Sequence, residues 1–210
     1  GVASGQVFLY AFYSRPDTGT TAVFRSIDGG ATWSARTAVP TTLMTANSAE
    51  TSTNNSTRAY AGGINLYRTA DAGASWVLIN DWPEYYPAPA TKLHADIPNI
   101  DVWRTSGGAE RVYISTDGGL YESSDNAVTV QNLNLSGMNV SQYYGSYTRR
   151  AAPFQILAGA QDQGYQKALA PTGGVESYVQ TISGDYAHLE STDGGNQLWM
   201  VYPGFVQLDT

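Results

Sequence analysis

An eight-residue motif that recurs along the chain constrains its fold more than any other feature. The first copy reads SIDGGATW, and the second copy, TADAGASW, aligns with it position by position, 43 residues further on from Asp28 to Asp71. A weaker third copy, SSDNAVTV, is centred on Asp125, 54 residues after Asp71, and has Val130 in place of the tryptophan. Since a period of about 40–50 residues with strand-like flanks is typical of propeller blades, the repeat predicts an all-β fold.

The residue types of the motif indicate a structural role. The aspartate carboxylate can accept hydrogen bonds from backbone N–H groups of a tight turn, the glycine supplies a positive φ, and the hydroxyl residue adds another bond. The aromatic residue is then expected to pack between neighbouring sheets. We therefore assign structural and not catalytic roles to Ser26, Asp28, Gly30, Thr32, Trp33, Thr69, Asp71, Gly73, Ser75, Trp76, Ser123 and Asp125.

The spacing S/T-x-D-x-G-x-[ST]-W resembles the Asp-box, or bacterial neuraminidase repeat (BNR). The resemblance rests on two good copies and one weak copy, and it implies a β-propeller made of four-stranded antiparallel blades. It points to the sialidase-like and sortilin-like propellers of secreted bacterial proteins. It implies little about activity, because sialidases, oligoxyloglucan hydrolases, sortilin-like receptors and assembly factors share the repeat.

The strand pattern represents about five blades in a single domain, residues 1–210, with the motif between the third and fourth strand of a blade. The predicted strands include Gln6–Tyr13, Leu43–Glu50, Ser75–Asp81 and Val128–Leu135. The first blade lacks its first strand and the last blade lacks its fourth, so the two overlap and do not complete each other. We therefore expect a fragment of a larger propeller, whose remaining blades come from a longer chain or a second chain. A closed five-bladed ring is the alternative.

The composition narrows the range of partners. Charged residues make up only 14% of the chain, against about 25% in an average soluble domain. The net charge is −7 with 11 Lys and Arg, and no basic cluster is present, so nucleic acid is not an expected partner. No apolar run approaches the roughly 18 residues of a membrane span. The chain begins at Gly1 without a leader, so we expect any signal peptide to lie upstream or to have been removed.

Four polar clusters are predicted to lie together on the face around the propeller channel, opposite the motif turns. They are His94-Ala95-Asp96, Asp117-Gly118-Gly119, Gln161–Gly164 and Gly184–His188. The order HADIPNIDVW, ERVYISTDGGLYESSDN, ILAGAQDQGYQ and SGDYAHLESTDGG resembles a subgroup of large secreted bacterial Asp-box propellers. That resemblance implies a secreted or cell-surface protein and does not identify a substrate.

Three interpretations of these clusters remain open. The preferred one is a binding surface for a carbohydrate or protein ligand, formed by His94, Trp103, Gln161, Gln163, Tyr186 and His188. The second is glycoside hydrolysis by paired carboxylates drawn from Asp96, Asp162 and Asp185, with Tyr143 and Tyr144 also available to stack on sugar rings. Such carboxylates would lie about 6.5–9.5 Å apart for inversion or about 5–5.5 Å for retention. The third is a structural scaffold, since Asp beside Gly caps turns in many proteins.

Neither a sialidase mechanism nor a metal site is predicted. A sialidase needs an arginine triad, and the arginines of this chain show no such arrangement. No cofactor is assigned. Calcium would suit the oxygen-rich loops Asp117-Gly118-Gly119 and Asp193-Gly194-Gly195, although the spacing of a calcium loop is absent. A zinc site at His94, Asp96 and His188 is a further alternative.

Overall fold

The chain folds into antiparallel β-sheets that follow one another along the sequence. The computed structural model describes residues 2–3, 5–138, 141–149, 151–174 and 176–210. Within each sheet, every strand pairs with the next one along the chain, so each sheet is an antiparallel meander. The predicted fold class is confirmed: the protein is an all-β chain with several four-stranded antiparallel sheets, as in the blades of a β-propeller.

A short hairpin and five sheets make up the described strands. The hairpin joins β1 (Val2–Ala3) and β2 (Gln6–Val7). Sheet 1 consists of β3 (Leu9–Arg15), β4 (Thr20–Ser26) and β5 (Ser34–Val39). Sheet 2 consists of β6 (Ala49–Thr51), β7 (Ala59–Gly62), β8 (Leu66–Thr69) and β9 (Val77–Leu78). Sheet 3 consists of β10 (Asn99–Arg104), β11 (Glu110–Thr116), β12 (Gly119–Ser123) and β13 (Gln131–Asn132).

The last two sheets and two short helices complete the elements. Sheet 4 consists of β14 (Tyr143–Arg149), β15 (Gln155–Ala160), β16 (Gly164–Ala168) and β17 (Val179–Ile182). Sheet 5 consists of β18 (Ala187–Glu190), β19 (Leu198–Tyr202) and β20 (Phe205–Asp209). A 3₁₀ helix covers Trp82–Tyr85, and a π-helical turn covers Asn134–Met138. None of the helices in the described ranges has the length and apolar character of a membrane span.

Each of the four predicted strands named above differs from the observed one. Segment Gln6–Tyr13 is interrupted at Phe8, where the pairing changes from the β1 hairpin to β4. In Leu43–Glu50 only the last two residues join β6, because the amides before them are bound by loop acceptors such as the hydroxyl of Ser14. The outer strands predicted at Ser75–Asp81 and Val128–Leu135 shorten to two residues each, since the preceding motif turn binds their first amides.

The chain divides into two compact units, residues 1–139 and 140–210. In the first unit, sheet 1 packs on sheet 2 through a cluster that includes Val23, Val39 and Ala61. The opposite face of sheet 2, with Tyr60 and Leu66, packs on sheet 3. In the second unit, Leu157 and Tyr165 of sheet 4 pack on sheet 5 at Leu189, Leu198 and Met200. Consecutive sheets therefore stack face to face within each unit, as propeller blades do.

The motif turns are held by the same set of hydrogen bonds in all three predicted copies. In the first, Ser26 Oγ donates to Asp28 Oδ1 at 2.7 Å and accepts the Gly30 amide at 2.9 Å. Asp28 in turn accepts the Thr32 amide at 2.9 Å and the Thr32 hydroxyl at 2.5 Å. Asp71 and Asp125 repeat this arrangement. The weak third copy thus keeps the complete turn without its tryptophan.

A fourth motif turn lies where the sequence suggested only a calcium-suited loop. Ser191 Oγ donates to Asp193 Oδ1 at 3.0 Å and accepts the Gly195 amide at 2.8 Å. Asp193 Oδ1 accepts the Gln197 amide at 2.9 Å. The eight residues, STDGGNQL, lack both the second hydroxyl residue and the aromatic residue, which is why the pattern escaped detection. This turn joins β18 to β19, whereas the other three join β4 to β5, β8 to β9 and β12 to β13.

The turn hydrogen bonds keep the aspartates ionised. The hydroxyl of Thr32 is the largest influence that lowers the pKa of Asp28 to about 2, and that of Ser75 does the same for Asp71. Burial opposes the effect at Asp125, but the bonds from Thr129 outweigh it and the pKa is lowered. The backbone bond from Gln197 lowers the pKa of Asp193. The four carboxylates are therefore structural anions that accept bonds from their own turns.

Candidate functional site

In the second unit, two turns meet at one edge of sheets 4 and 5 and bring the predicted residues Asp162 and Asp185 together. The turn Gln161–Gly164 joins β15 to β16, and Gly184–Asp185 precedes β18. The two segments form a parallel bridge between Gln163 and Gly184. The amide of Asp162 donates to Asp185 Oδ1 at 3.0 Å. We call this edge, with the turn Tyr202–Phe205 beside it, the strand-end site.

Glycines allow the backbones to approach closely at this edge. A Cβ on Gly164 would lie 1.8 Å from the carbonyl oxygen of Ile182, and the residue has a φ of +75°. A Cβ on Gly184, with a φ of +115°, would lie 2.6 Å from the ring of Tyr202. Only glycine combines such φ values with such contacts. These residues therefore fix the position of Asp162 and Asp185.

Amide side chains line the same edge of sheet 4. The carbonyl of Gln163 accepts the side-chain amides of Gln166 at 3.2 Å and Gln180 at 2.7 Å. The hydroxyl of Ser141 bonds the side-chain oxygen of Gln163. The hydroxyl of Tyr143 donates to Gln166 at 3.1 Å, and its ring is 43% exposed. Ordered amide groups beside a partly exposed tyrosine form a surface that can both hydrogen-bond and stack.

An aromatic pair that sequence reasoning missed completes the strand-end site. The rings of Tyr202 and Phe205 stack with centroids 4.8 Å apart, and Phe205 is 51% exposed. The two residues are paired across β19 and β20. The signal in the sequence was the segment YPGF, in which a Pro-Gly turn sets the flanking aromatic residues side by side. Tyr202 also contacts Gly184, so the pair adjoins Asp185.

Two of the other predicted residues of the second unit occupy different environments. Tyr186 belongs to the core, where its hydroxyl donates to Gln207 at 2.8 Å, so its ring is not an accessible stacking surface. His188 is exposed and has a φ of +34° at a register shift between β18 and β19. Gln161 and Gln163 lie in the turn between β15 and β16.

The predicted residues of the first unit separate from one another. His94 is buried among Trp82, Tyr85 and Tyr86, with its ring 4.6 Å from that of Tyr85. It packs against the Asp117-Gly118 turn, since a Cβ on Gly118 would lie 2.5 Å from the Cβ of His94. The buried ring therefore supports the loop and does not face solvent.

Asp96 and Trp103 lie at opposite edges of the first unit. Asp96 has a φ of +62°, and its amide donates to Ile64 in the connection between β7 and β8. Trp103 is 67% exposed near the end of β10, at the edge where the motif turns lie. The expectation that Trp103 shares a face with His94 and Asp96 is wrong, because β10 runs away from that edge.

The described residues offer no ready metal centre. No three His, Asp or Glu side chains within the described ranges come together as a set of metal ligands. Asp193, which was considered for calcium, already accepts two hydrogen bonds in its motif turn. The strand-end site therefore has the chemistry of carboxylates, amides and aromatic rings.

Comparison with known proteins finds distant structural similarity and no family match. No protein-family model matches the chain, and the comparison with curated proteins finds no match. Among solved structures, a GH74 enzyme from Niastella koreensis is 17% identical with a TM-score of 0.42, covering 92% of this chain. YCF48 bound to D1 peptide is 17% identical with a TM-score of 0.37, covering 95% of this chain and 68% of its own. YCF48 from Cyanidioschyzon merolae is 14% identical with a TM-score of 0.35, covering 97% of this chain and 66% of its own.

These structures are β-propellers. This chain spans 31% of the length of the Niastella enzyme, so it corresponds in extent to a part of that protein.

Proposed function

We propose that the chain is a β-propeller module of the Asp-box (BNR) type, secreted or at the cell surface, that binds carbohydrate at the strand-end site. The observation that carries the proposal is the exposed Tyr202–Phe205 stack beside the paired turns of Asp162 and Asp185. Sugar rings stack their C–H faces on aromatic rings, while their hydroxyl groups bond carboxylate and amide side chains. The strand-end site offers both kinds of group on one edge.

The four motif turns support the repeat type. Asp28, Asp71, Asp125 and Asp193 each hold a turn through a hydroxyl residue two positions earlier and an amide four positions later. That recurring pattern is what an Asp-box requires of its aspartate. This support for the repeat type does not depend on which ligand binds at the strand-end site, which lies at the opposite edge of the sheets.

The position of Asp185 favours binding over glycoside hydrolysis, which is the alternative. One of its oxygens accepts the amide of Asp162 at 3.0 Å and so holds the neighbouring turn. A carboxylate oxygen that holds a turn in this way is less available as a nucleophile or a proton-transfer group, since either reaction would disrupt the bond. The same bond fixes the backbone of the Asp162 turn, and a rigid turn suits recognition.

The test is a calorimetric titration of the protein with each member of a panel of neutral and acidic oligosaccharides. We expect saturable binding that weakens by about tenfold in Phe205→Ala, because a stacking surface is lost. Phe154→Ala is the matched control, since Phe154 is 60% exposed in the same unit but lies at the opposite edge, before β15. The control should bind as the native protein does.

The other functions give different results in the same samples. Release of new reducing ends that stops in Asp162→Asn would indicate hydrolysis. Binding of extended peptides but of no oligosaccharide would indicate a protein ligand. If neither class binds the native protein, or if both phenylalanine variants weaken binding equally, the proposed function is wrong.

A further inference from the structure

The contact between sheets 1 and 2 centres on two residues of the outer strand β5. Arg36 Nε donates to the carbonyl of Ala72 at 2.8 Å, within the second motif turn. Thr37 donates through its amide to Gly73 at 3.0 Å and through its hydroxyl to Ala74 at 2.7 Å. An arginine followed by threonine therefore binds three successive carbonyls of the next motif turn.

The tryptophan of the second motif turn completes this contact. Trp76 Nε1 donates to the carbonyl of Thr37 at 2.9 Å, and its ring meets Phe12 of sheet 1 with centroids 6.2 Å apart. Two later motif turns also receive an arginine from the preceding sheet or its connections. Arg58, just before β7, donates to the side-chain oxygen of Asn126 at 2.8 Å, and Arg149, at the end of β14, donates to that of Asn196 at 2.7 Å. Neither of these arginines is followed by threonine.

The first motif turn has the same groups, but its carbonyls and its tryptophan make different hydrogen bonds. By alignment of the repeats, Gly29, Gly30 and Ala31 correspond to the three carbonyl residues of the second turn, and Trp33 corresponds to Trp76. Trp33 Nε1 donates instead to its own turn, at Gly30, at 3.0 Å, and the side chain is 46% exposed. Among the described residues, no arginine donates to this turn.

The face of sheet 1 beside this turn is apolar and exposed. Leu9, Tyr13 and Phe24 are 37%, 67% and 39% exposed. Phe24 aligns with Tyr67, which in sheet 2 packs against sheet 1. Leu9 reaches the turn itself, because a Cβ on Gly30 would lie 3.6 Å from Leu9 and 3.9 Å from Trp33. Turn and face thus form one continuous surface, which we call the front of sheet 1.

We propose that the front of sheet 1 is a docking surface for the outer strand of another β-sheet, one that carries an arginine followed by threonine. The arginine would bind the carbonyl of Gly29, and the threonine amide would bind that of Gly30. Trp33 would leave Gly30 and donate to the threonine carbonyl, as Trp76 does to Thr37. The apolar side chains of the partner sheet would cover Leu9, Tyr13 and Phe24.

The sequence indicates that sheet 5 of a second copy of this chain is not the partner that covers the front of sheet 1. Sheet 5 also exposes an apolar face, with Trp199 and Val206 44% and 58% exposed. However, residues 187–209 contain neither Lys nor Arg, so this sheet cannot supply the cation that the repeated contact uses. We therefore define the partner by an Arg-Thr pair like that of Arg36 and Thr37. An apolar sheet face without this pair does not meet the definition.

The test uses a synthetic, end-blocked peptide with the sequence SARTAVP, which is that of residues 34–40. The indole N–H signal of Trp33, assigned with Trp33→Phe, is followed by NMR as peptide is added to the ¹⁵N-labelled protein. We expect a saturable shift of this signal at millimolar peptide, while the indole signal of Trp76 stays in place. A peptide with alanine for arginine should bind about tenfold more weakly, because a charged hydrogen bond is lost.

Each contrary outcome has a definite meaning. An unchanged Trp33 signal at millimolar peptide overturns the proposal, as does an equal response to a scrambled peptide. If the Trp33 signal moves with protein concentration in the absence of peptide, a second copy occupies the surface and the strand proposal is likewise overturned. None of these outcomes bears on oligosaccharide binding, which is measured at the strand-end site of the other unit.

Discussion

At the scale of single residues, each motif aspartate uses its carboxylate to organise a turn. Asp71 accepts the amide of Ser75 at 2.9 Å and its hydroxyl at 2.6 Å, as well as the hydroxyl of Thr69 at 2.8 Å. An asparagine at this position keeps one acceptor oxygen and loses the other. The effect on stability is modest because the group lies close to solvent, where charge is screened.

We expect Asp71→Asn to lower the free energy of unfolding by about 1 kcal/mol at neutral pH, since it loses charge-assisted bonds that are partly screened by solvent. Urea unfolding followed by tryptophan fluorescence measures the change. Asp17→Asn is the matched control, because Asp17 is exposed and contacts only the exposed Arg15 among the interactions seen here. Equal effects of the two substitutions would contradict the role given to Asp71.

The fourth motif turn can be improved by one substitution. Asp193 lacks the hydroxyl bond that the other three aspartates accept, because Gln197 stands where the other turns have Ser or Thr. Gln197→Thr supplies that hydroxyl, so we expect a higher urea midpoint and a lower pKa of Asp193. Gln197→Val has a similar shape without the hydroxyl and serves as the control. A midpoint that rises equally in both variants would show that β-propensity, and not the new bond, is responsible.

Single residues were predictable from the sequence where one local rule governs them. The structural roles of Asp28, Asp71 and Asp125 follow from turn chemistry within eight residues. Tyr186 could not be placed in the same way, because the side of a strand that is buried depends on the neighbouring sheet. Tyr202 and Phe205 escaped notice because their surface arises only when β19 and β20 pair.

At the scale of elements, the close packing of sheet 4 at the strand-end site depends on residues that have no side chain. Gly164 is the tightest of these, with its absent Cβ only 1.8 Å from a backbone oxygen and a φ of +75°. A methyl group there must displace the strand that contains Ile182. The strand-end site depends on this approach, since Gln163 and Gly184 pair beside it.

We expect Gly164→Ala to destabilise the second unit by about 2–3 kcal/mol, through overpacking and an unfavourable φ. Hydrogen exchange of residues 141–149 and 151–174 reports the change. Gly174→Ala is the control, because nothing lies within 4 Å of the position of its Cβ and its φ is not in the left-handed region. Unchanged protection in Gly164→Ala would mean that the strand can move aside at little cost.

Elements were predictable in type and order, and less so in length. The alternation of β11, buried at every second residue, is visible in its sequence. The outer strands β9 and β13 are short because the motif turns bind the amides that a longer strand would use. Competition between a side-chain acceptor and a β-ladder is decided by geometry, which a pattern of residue types does not contain.

At the scale of the whole molecule, the motif turns give the protein a common response to acid. All four motif aspartates have a lowered pKa, and for Asp28 and Asp71 it lies at about 2 against an ordinary value of 3.8. Their contribution to stability is therefore present above the unfolded value and is lost as the pH falls through the folded one. In that interval the unfolded chain binds protons that the folded chain does not.

We expect the free energy of unfolding to fall steeply between about pH 4 and pH 2, with a slope that counts the bound protons. Asp71→Asn should reduce the slope by up to one proton, and Asp28→Asn with Asp71→Asn by up to two. Ser75→Ala keeps the carboxylate but removes the bond that most lowers its pKa, so its slope should lie between those of the native protein and Asp71→Asn. Urea unfolding at a series of pH values measures all four proteins. If the slope is the same in each, the acid response arises from carboxylates outside the motif turns.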